Sequence, residues 1–156
     1  MPWIPLILLL AMVACYFDLR YRRIPNWLTA AGVVIGLVAN AAFGRVWLAV
    51  AGTAVGFIVL LVPYLFGGVG AGDVKLLAAF GALIGPSVVL RGTLIGVLLG
   101  GLGALWLIAR EGKLLALVRD GLAFLAGGAA PRPRVRSTLP YAVFLSAGVI
   151  IGGFVK

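Results

Sequence analysis

Histidine is absent from this 156-residue chain, cysteine occurs once, and only four side chains are acidic. Without histidine there is no His-based triad and no His-ligated zinc. With Cys15 as the single thiol, neither an intrachain disulfide nor a cysteine metal cluster can form. The acids are Asp18, Asp73, Glu111 and Asp120, so acid–base chemistry has few candidates.

Charge of either sign is scarce. Charged residues make up 11% of the chain against about 25% in an average soluble domain, while 63% is hydrophobic and mean hydropathy is +1.20. The apolar residues fall in long blocks that only lipid can solvate. The net charge is +9, thirteen Lys+Arg against four Asp+Glu. On a soluble fold that would point to nucleic acid. On a chain this apolar it points to basic loops on anionic cytoplasmic headgroups, so anionic lipids and not nucleic acid are the expected partners.

A membrane helix needs about 20 apolar residues. The sequence predicts an all-α polytopic membrane protein, a single domain over residues 1–156, with six transmembrane helices. The blocks are Trp3 to Phe17, Trp27 to Gly44, Val46 to Phe66, Val74 to Leu90, Gly92 to Ala109, and Thr138 to Val155. Pro2 and Pro5 suit the first helical turn, and Gly96, Gly100 and Gly103 suit close helix approach. Trp3, Trp27 and Trp47 fall at block ends, as interface anchors do. The N-terminus lacks the basic region and cleavage site of a removable signal, so the first helix is expected to stay.

Leu114 to Ala130 is a seventh apolar stretch, but Arg119 and Asp120 interrupt its middle, where charge is costly in lipid. If it spanned, Arg132, Arg134 and Arg136 would move outside, against the positive-inside bias. It is therefore expected as a cytoplasmic interfacial helix. Six spans with the N-terminus outside put Arg20, Arg22, Arg23, Lys75, Arg110, Lys113, Arg119 and the 132–136 arginines on the cytoplasmic side. Arg45, Arg91 and Lys156 fall outside. The expected location is the cell's inner membrane.

Asp18 closes the first block and Asp73 opens the fourth. The chain crosses twice between them, so both return to the cytoplasmic side. Two carboxylates held close in a partly dry site cannot both ionise cheaply, so one keeps a proton. The charged one can take a proton from water while the other polarises a carbonyl, with no metal and no cofactor required. Gly67, Gly68, Gly70 and Gly72 precede Asp73, and glycine lets an extended strand lie close to the backbone. Read singly, the glycine run is a hinge, Asp18 an (i, i+4) partner of Arg22, and Lys75 a snorkelling helix-end lysine. Cys15 reads as a small core residue, and Glu111 and Asp120 as interfacial pairs with their basic neighbours.

Gly70-Ala71-Gly72-Asp73-Val74-Lys75 resembles the GxGDxK signature of type IV prepilin peptidases, which are GxGD membrane aspartyl proteases. Asp18, Arg20, Arg23 and Ile24-Pro25-Asn26 are similar to that family's other catalytic aspartate, with its basic stretch and I-P-N turn. Leu139-Pro140-Tyr141-Ala142 resembles its C-terminal proline–aromatic element. The resemblance implies that Asp18 and Asp73 are catalytic. It implies that Gly70, Gly72, Lys75, Pro25, Asn26, Pro140 and Tyr141 shape the site or bind substrate. The implied substrate is a prepilin, with a basic leader and a hydrophobic helix, cut at the cytoplasmic membrane boundary. The pilus assembly machinery is an implied partner.

The long members of that family carry paired CxxC zinc sites and also N-methylate their product. This chain has no CxxC and only Arg20 to Asn26 between its first two blocks, like the short form associated with tight-adherence (Flp) pili. Peptide cleavage without methyl transfer is therefore expected. A basic leader would be repelled by so many arginines unless lipid, the carboxylates or an acid in the substrate offset them. The alternatives are a preflagellin or other GxGD protease and, in another class, a proton- or ion-coupled transporter. Transport would favour internal repeats and matching broken helices, which the sequence does not display. A Ser–Lys hydrolase would have to use Ser87, Ser137 or Ser146, and no lysine shares the depth of Ser87 or Ser146.

Overall fold

A computed structural model describes residues 4–112 and 141–154, together with positions 119 and 126. Among the described residues the regular structure is helical: α1 (Ile4–Tyr21), α2 (Asn26–Ala42), α3 (Val46–Leu65), α4 (Ala71–Ile84), α5 (Pro86–Arg110) and α6 (Tyr141–Phe154). α1, α3 and α5 have 18, 20 and 25 residues and are long and apolar enough to cross a membrane. α2 and α6 are shorter apolar helices. Leu114 to Ala130, expected as an interfacial helix, lies outside the described residues.

One boundary differs from expectation. Hydropathy divides the fourth and fifth blocks at Arg91, because charge marks a block's edge. The backbone divides at Gly85 instead, and Arg91 lies inside α5. Gly85 has φ 81, which glycine adopts without strain, and Pro86 then starts α5 where its missing N–H costs nothing. α4 is left with 14 residues, about 21 Å at 1.5 Å per residue. It is short, but it is sheathed: Val74 and every residue from Leu76 to Leu83 are buried.

Glycines let the neighbouring helices reach α4. In lipid, apolar side chains gain little by leaving their surroundings, so helices associate through packing at small residues. A Cβ on Gly52 of α3 would collide with the Gly81 carbonyl oxygen, and one on Gly56 would lie 2.5 Å from the Leu77 carbonyl. Rising numbers on α3 meet falling numbers on α4, so the two run antiparallel. On α2, Gly32 meets Ala79 and Gly36 meets Ala82, so α2 runs parallel to α4. Gly92 and Gly96 of α5 meet Val149 and Gly148 of α6 in the same manner, antiparallel.

Asn40 locks the far end. Its Nδ2 donates to the carbonyls of Ala82 and Leu83 at 3.0 and 3.4 Å, and to Gly36 of its own helix at 3.0 Å. The last carbonyls of a helix lack intrahelical partners, and here a side chain from α2 supplies one. Outward, the bundle presents Leu9, Met12, Val38, Val62, Leu94, Leu98 and Leu102, all exposed. An apolar exterior around a glycine-packed interior is the inverse of a water-soluble domain and suits lipid.

The α3–α4 contact yields a stability prediction. Gly52→Ala should lower stability by about 1–3 kcal/mol, because the added methyl forces the backbones apart. Gly101→Ala, with nothing within 4 Å of its added Cβ, should be neutral or stabilising by up to about 1 kcal/mol. Unfolding in detergent or nanodiscs compares the two, and equal effects would refute the close-packed interface.

Candidate active site

Asp18 is presented by the end of α1. Arg22 takes φ 50, an uncommon conformation for a residue with a Cβ, and its N–H donates to the Asp18 carbonyl at 2.9 Å. A left-handed residue closing back four positions ends a helix. The chain then turns through Arg23, Ile24 and Pro25, and Pro25 caps α2 in an extended conformation. Ile24 lies under the start of α4, where a Cβ on Gly72 would be 3.1 Å from the Ile24 Cβ.

The glycine run before Asp73 divides into separate tasks. Gly67, at φ 74, ends α3: its N–H donates to the Tyr64 carbonyl at 2.9 Å and that of Gly68 to the Pro63 carbonyl at 2.8 Å. These are the paired bonds of a Schellman cap. Gly70 begins α4, and its N–H donates to Asp73 Oδ2 at 3.1 Å. Since glycine has no side chain to return the bond, only half of a capping box is made. Asp73 is thus held in the first turn of α4, only 8% exposed.

Asp18 is held from another direction. The Ala142 N–H, in the first turn of α6, donates to Asp18 Oδ2 at 3.1 Å. Each carboxylate therefore sits at a helix N-terminus, where backbone N–H groups and the helix dipole favour negative charge. Both line one cleft of about 320 Å³, with Gly70, Gly72, Asn26 and Lys75. Arg22, Arg23, Ile24 and Ala71 complete its wall.

Asp73 is buried and shares the cleft with Asp18, so two ionised carboxylates there would be costly. One of such a pair can keep its proton where an ordinary exposed aspartate would not. Among the described residues, no three metal-ligating side chains converge.

The remaining predicted site residues divide. Lys75 Nζ donates to Asn26 Oδ1 at 2.9 Å, so the lysine of the GxGDxK run and the asparagine of the I-P-N turn meet directly. Pro25 does not line the cleft; it starts α2, its carbonyl accepting the Leu28 N–H at 3.2 Å. Tyr141 turns its ring toward α5, where a Cβ added to Gly100 would lie 3.6 Å from it, while its neighbour Ala142 touches Asp18. Pro140 lies outside the described residues. Sequence reasoning names Ala142 only as the end of the 139–142 run and gives it no role, because a backbone N–H carries no residue signature. It also misses Asn40, although a lone polar residue inside an apolar block is a usable signal.

The sequence profile described as the type IV leader peptidase family matches residues 5–105. The match takes in Asp18, the I-P-N turn and the GxGD run. No curated protein and no solved structure matches the chain significantly. A family profile that covers most of the chain and both aspartates agrees with the architecture of the cleft: the chain belongs to the type IV leader peptidase family.

Proposed function

We propose that this membrane protease is an aspartic endopeptidase that removes the basic leader from Flp-like prepilins at the cytoplasmic membrane boundary. The observation that carries the reading is the shared cleft of Asp18 and Asp73, with each carboxylate accepting one backbone N–H. Asp73, the more buried of the two, holds the proton. Asp18, half-buried, stays charged and draws a proton from the attacking water, while Asp73 polarises the scissile carbonyl. As water attacks, Asp73 gives its proton to the carbonyl oxygen. When the C–N bond breaks, Asp18 passes its proton to the departing amine and Asp73 takes one back from a hydroxyl of the gem-diol, so the pair ends as it began. The absence of CxxC from the sequence supports cleavage without methyl transfer.

In this reading the six helices make six crossings of the inner membrane with the N-terminus outside. Arg20, Arg22, Arg23, Lys75 and Arg110 then gather at the cytoplasmic end, and Arg45 and Arg91 at the outer one. The antiparallel order of α3 and α4 and the parallel order of α2 and α4 support that division. Anionic lipid at the cytoplasmic end would offset repulsion between the arginines and a basic leader.

Asp18→Asn and Asp73→Asn should each abolish cleavage, since losing general acid–base action is worth about 10²–10⁴ in rate per group. Glu111→Gln and Asp120→Asn remove the same charge and should keep most activity at matched amounts of inserted protein. Full activity in either aspartate variant would end the aspartic reading. The pH profile gives a second check. A proton on Asp73 is required, so kcat/KM should fall as pH rises through the point at which that carboxyl loses its proton in the free protein. The kcat limb should lie higher, because bound substrate excludes water and favours the neutral acid. In a Cys15→Ser background, Arg45→Cys should label from outside intact cells and Pro133→Cys should not. External labelling at 133 would overturn the topology.

A further inference from the structure

The aspartate cleft is not the end of the open space beside α4. A second cavity of about 440 Å³ shares Asn26 and Lys75 with it and continues along α2. Its other walls are Thr29, Ala30 and Val33 of α2, Thr53 and Phe57 of α3, and Ala78 of α4. Positions 26, 29, 30 and 33 form one stripe of a helix, so the cavity is an elongated slot. It runs about 10 Å along α2, from Asn26 to Val33, at 1.5 Å per residue.

The slot is apolar despite its threonines. Thr29 Oγ1 donates to the Asn26 carbonyl at 3.0 Å and Thr53 Oγ1 to the Ala49 carbonyl at 2.8 Å. Both hydroxyls are committed to their own helices. The cleft is its opposite, walled by two carboxylates, two arginines and open backbone. The Lys75–Asn26 hydrogen bond, at 2.9 Å between exposed side chains, stands where the two meet.

We propose that this slot is the specificity subsite for the apolar residues that directly follow the scissile bond, and that Asn26 and Lys75 guide the chain across its mouth. The inference rests on the prepilin reading of the aspartate cleft. A prepilin changes from polar leader to apolar helix within a few residues of its junction, and the cleft and slot present that same change in order. The slot is too small for a whole helix, about 10 Å across, but it takes the side chains of one helix face. Asn26 offers both a donor and an acceptor and Lys75 offers donors alone. Exchanging their mutual bond for bonds to an extended substrate backbone leaves no polar group unpaired. Ala30 and Phe57, both exposed in the free protein, are the wall positions free to change size.

The test uses the full chain in lipid nanodiscs and two prepilins. One carries leucines in the first two turns after the junction and the other carries alanines there. Wild type should cleave the leucine form preferentially. Ala30→Trp, which fills the slot from an exposed position, should reduce that preference roughly tenfold or more, the scale on which an apolar pocket discriminates size. Val34→Trp, on an exposed position of α2 outside the slot, should keep it. If Ala30→Trp leaves the preference intact, or Val34→Trp reduces it equally, the slot holds a lipid chain or nothing and the inference falls. If wild type cleaves neither prepilin, the prepilin reading itself fails.

Discussion

The contact of Gly52 with Gly81, backbone against backbone, is the constraint on which the rest of the bundle depends. α4 is only 14 residues long, and its remaining side chains are mostly alanine and leucine. It could not be sealed from lipid by large partners without leaving gaps between them. Small residues at 52 and 56 on α3 and at 32 and 36 on α2 let two helices close on it directly. Asn40 then satisfies the carbonyls at its far end, so the helix is held along its length and at its terminus. Asp73 stands on the opposite end of that fixed rod.

The near end is organised by helix starts. Asp73 accepts an N–H from Gly70 at the beginning of α4, and Asp18 accepts one from Ala142 at the beginning of α6. A helix N-terminus favours an anion without bringing in a cation, so the carboxylates are oriented without being neutralised. The aspartic chemistry proposed above needs one free charge and one proton. A lysine or arginine bonded to either acid would stabilise the charged form and hold back the proton. Lys75, two residues from Asp73, is instead bonded to Asn26.

The bundle also bears on how a hydrophobic substrate is handled. Its packed interior surrounds α4, while the cleft and the slot lie along one side of it, with Asn26 and Lys75 between them. In the prepilin reading proposed above, substrate approaches from the bilayer without the helices that fix Asp73 having to part. On the same short helix, Ala78 borders the slot and Asp73 the cleft.

Much of this was legible from the chain alone. Long apolar blocks, the scarcity of acids and the GxGDxK and I-P-N runs determined a helical membrane protein, its family and the residues to examine. Those properties are local: hydropathy, charge and short motifs need no knowledge of neighbours. Hydropathy puts the break at Arg91 and not at Gly85 because it registers a charge, while a left-handed glycine followed by proline is a backbone event. The separate tasks of Gly67 and Gly70 were hidden for the same reason, since an unfolded glycine run does not say which member caps which helix. Only the tertiary structure decided that Ala142 holds Asp18, that Asn40 closes α4, and that Lys75 meets Asn26. Each is a contact between residues distant in sequence, two of them with a backbone group as one partner, and backbone groups are the same at every position until folding places them.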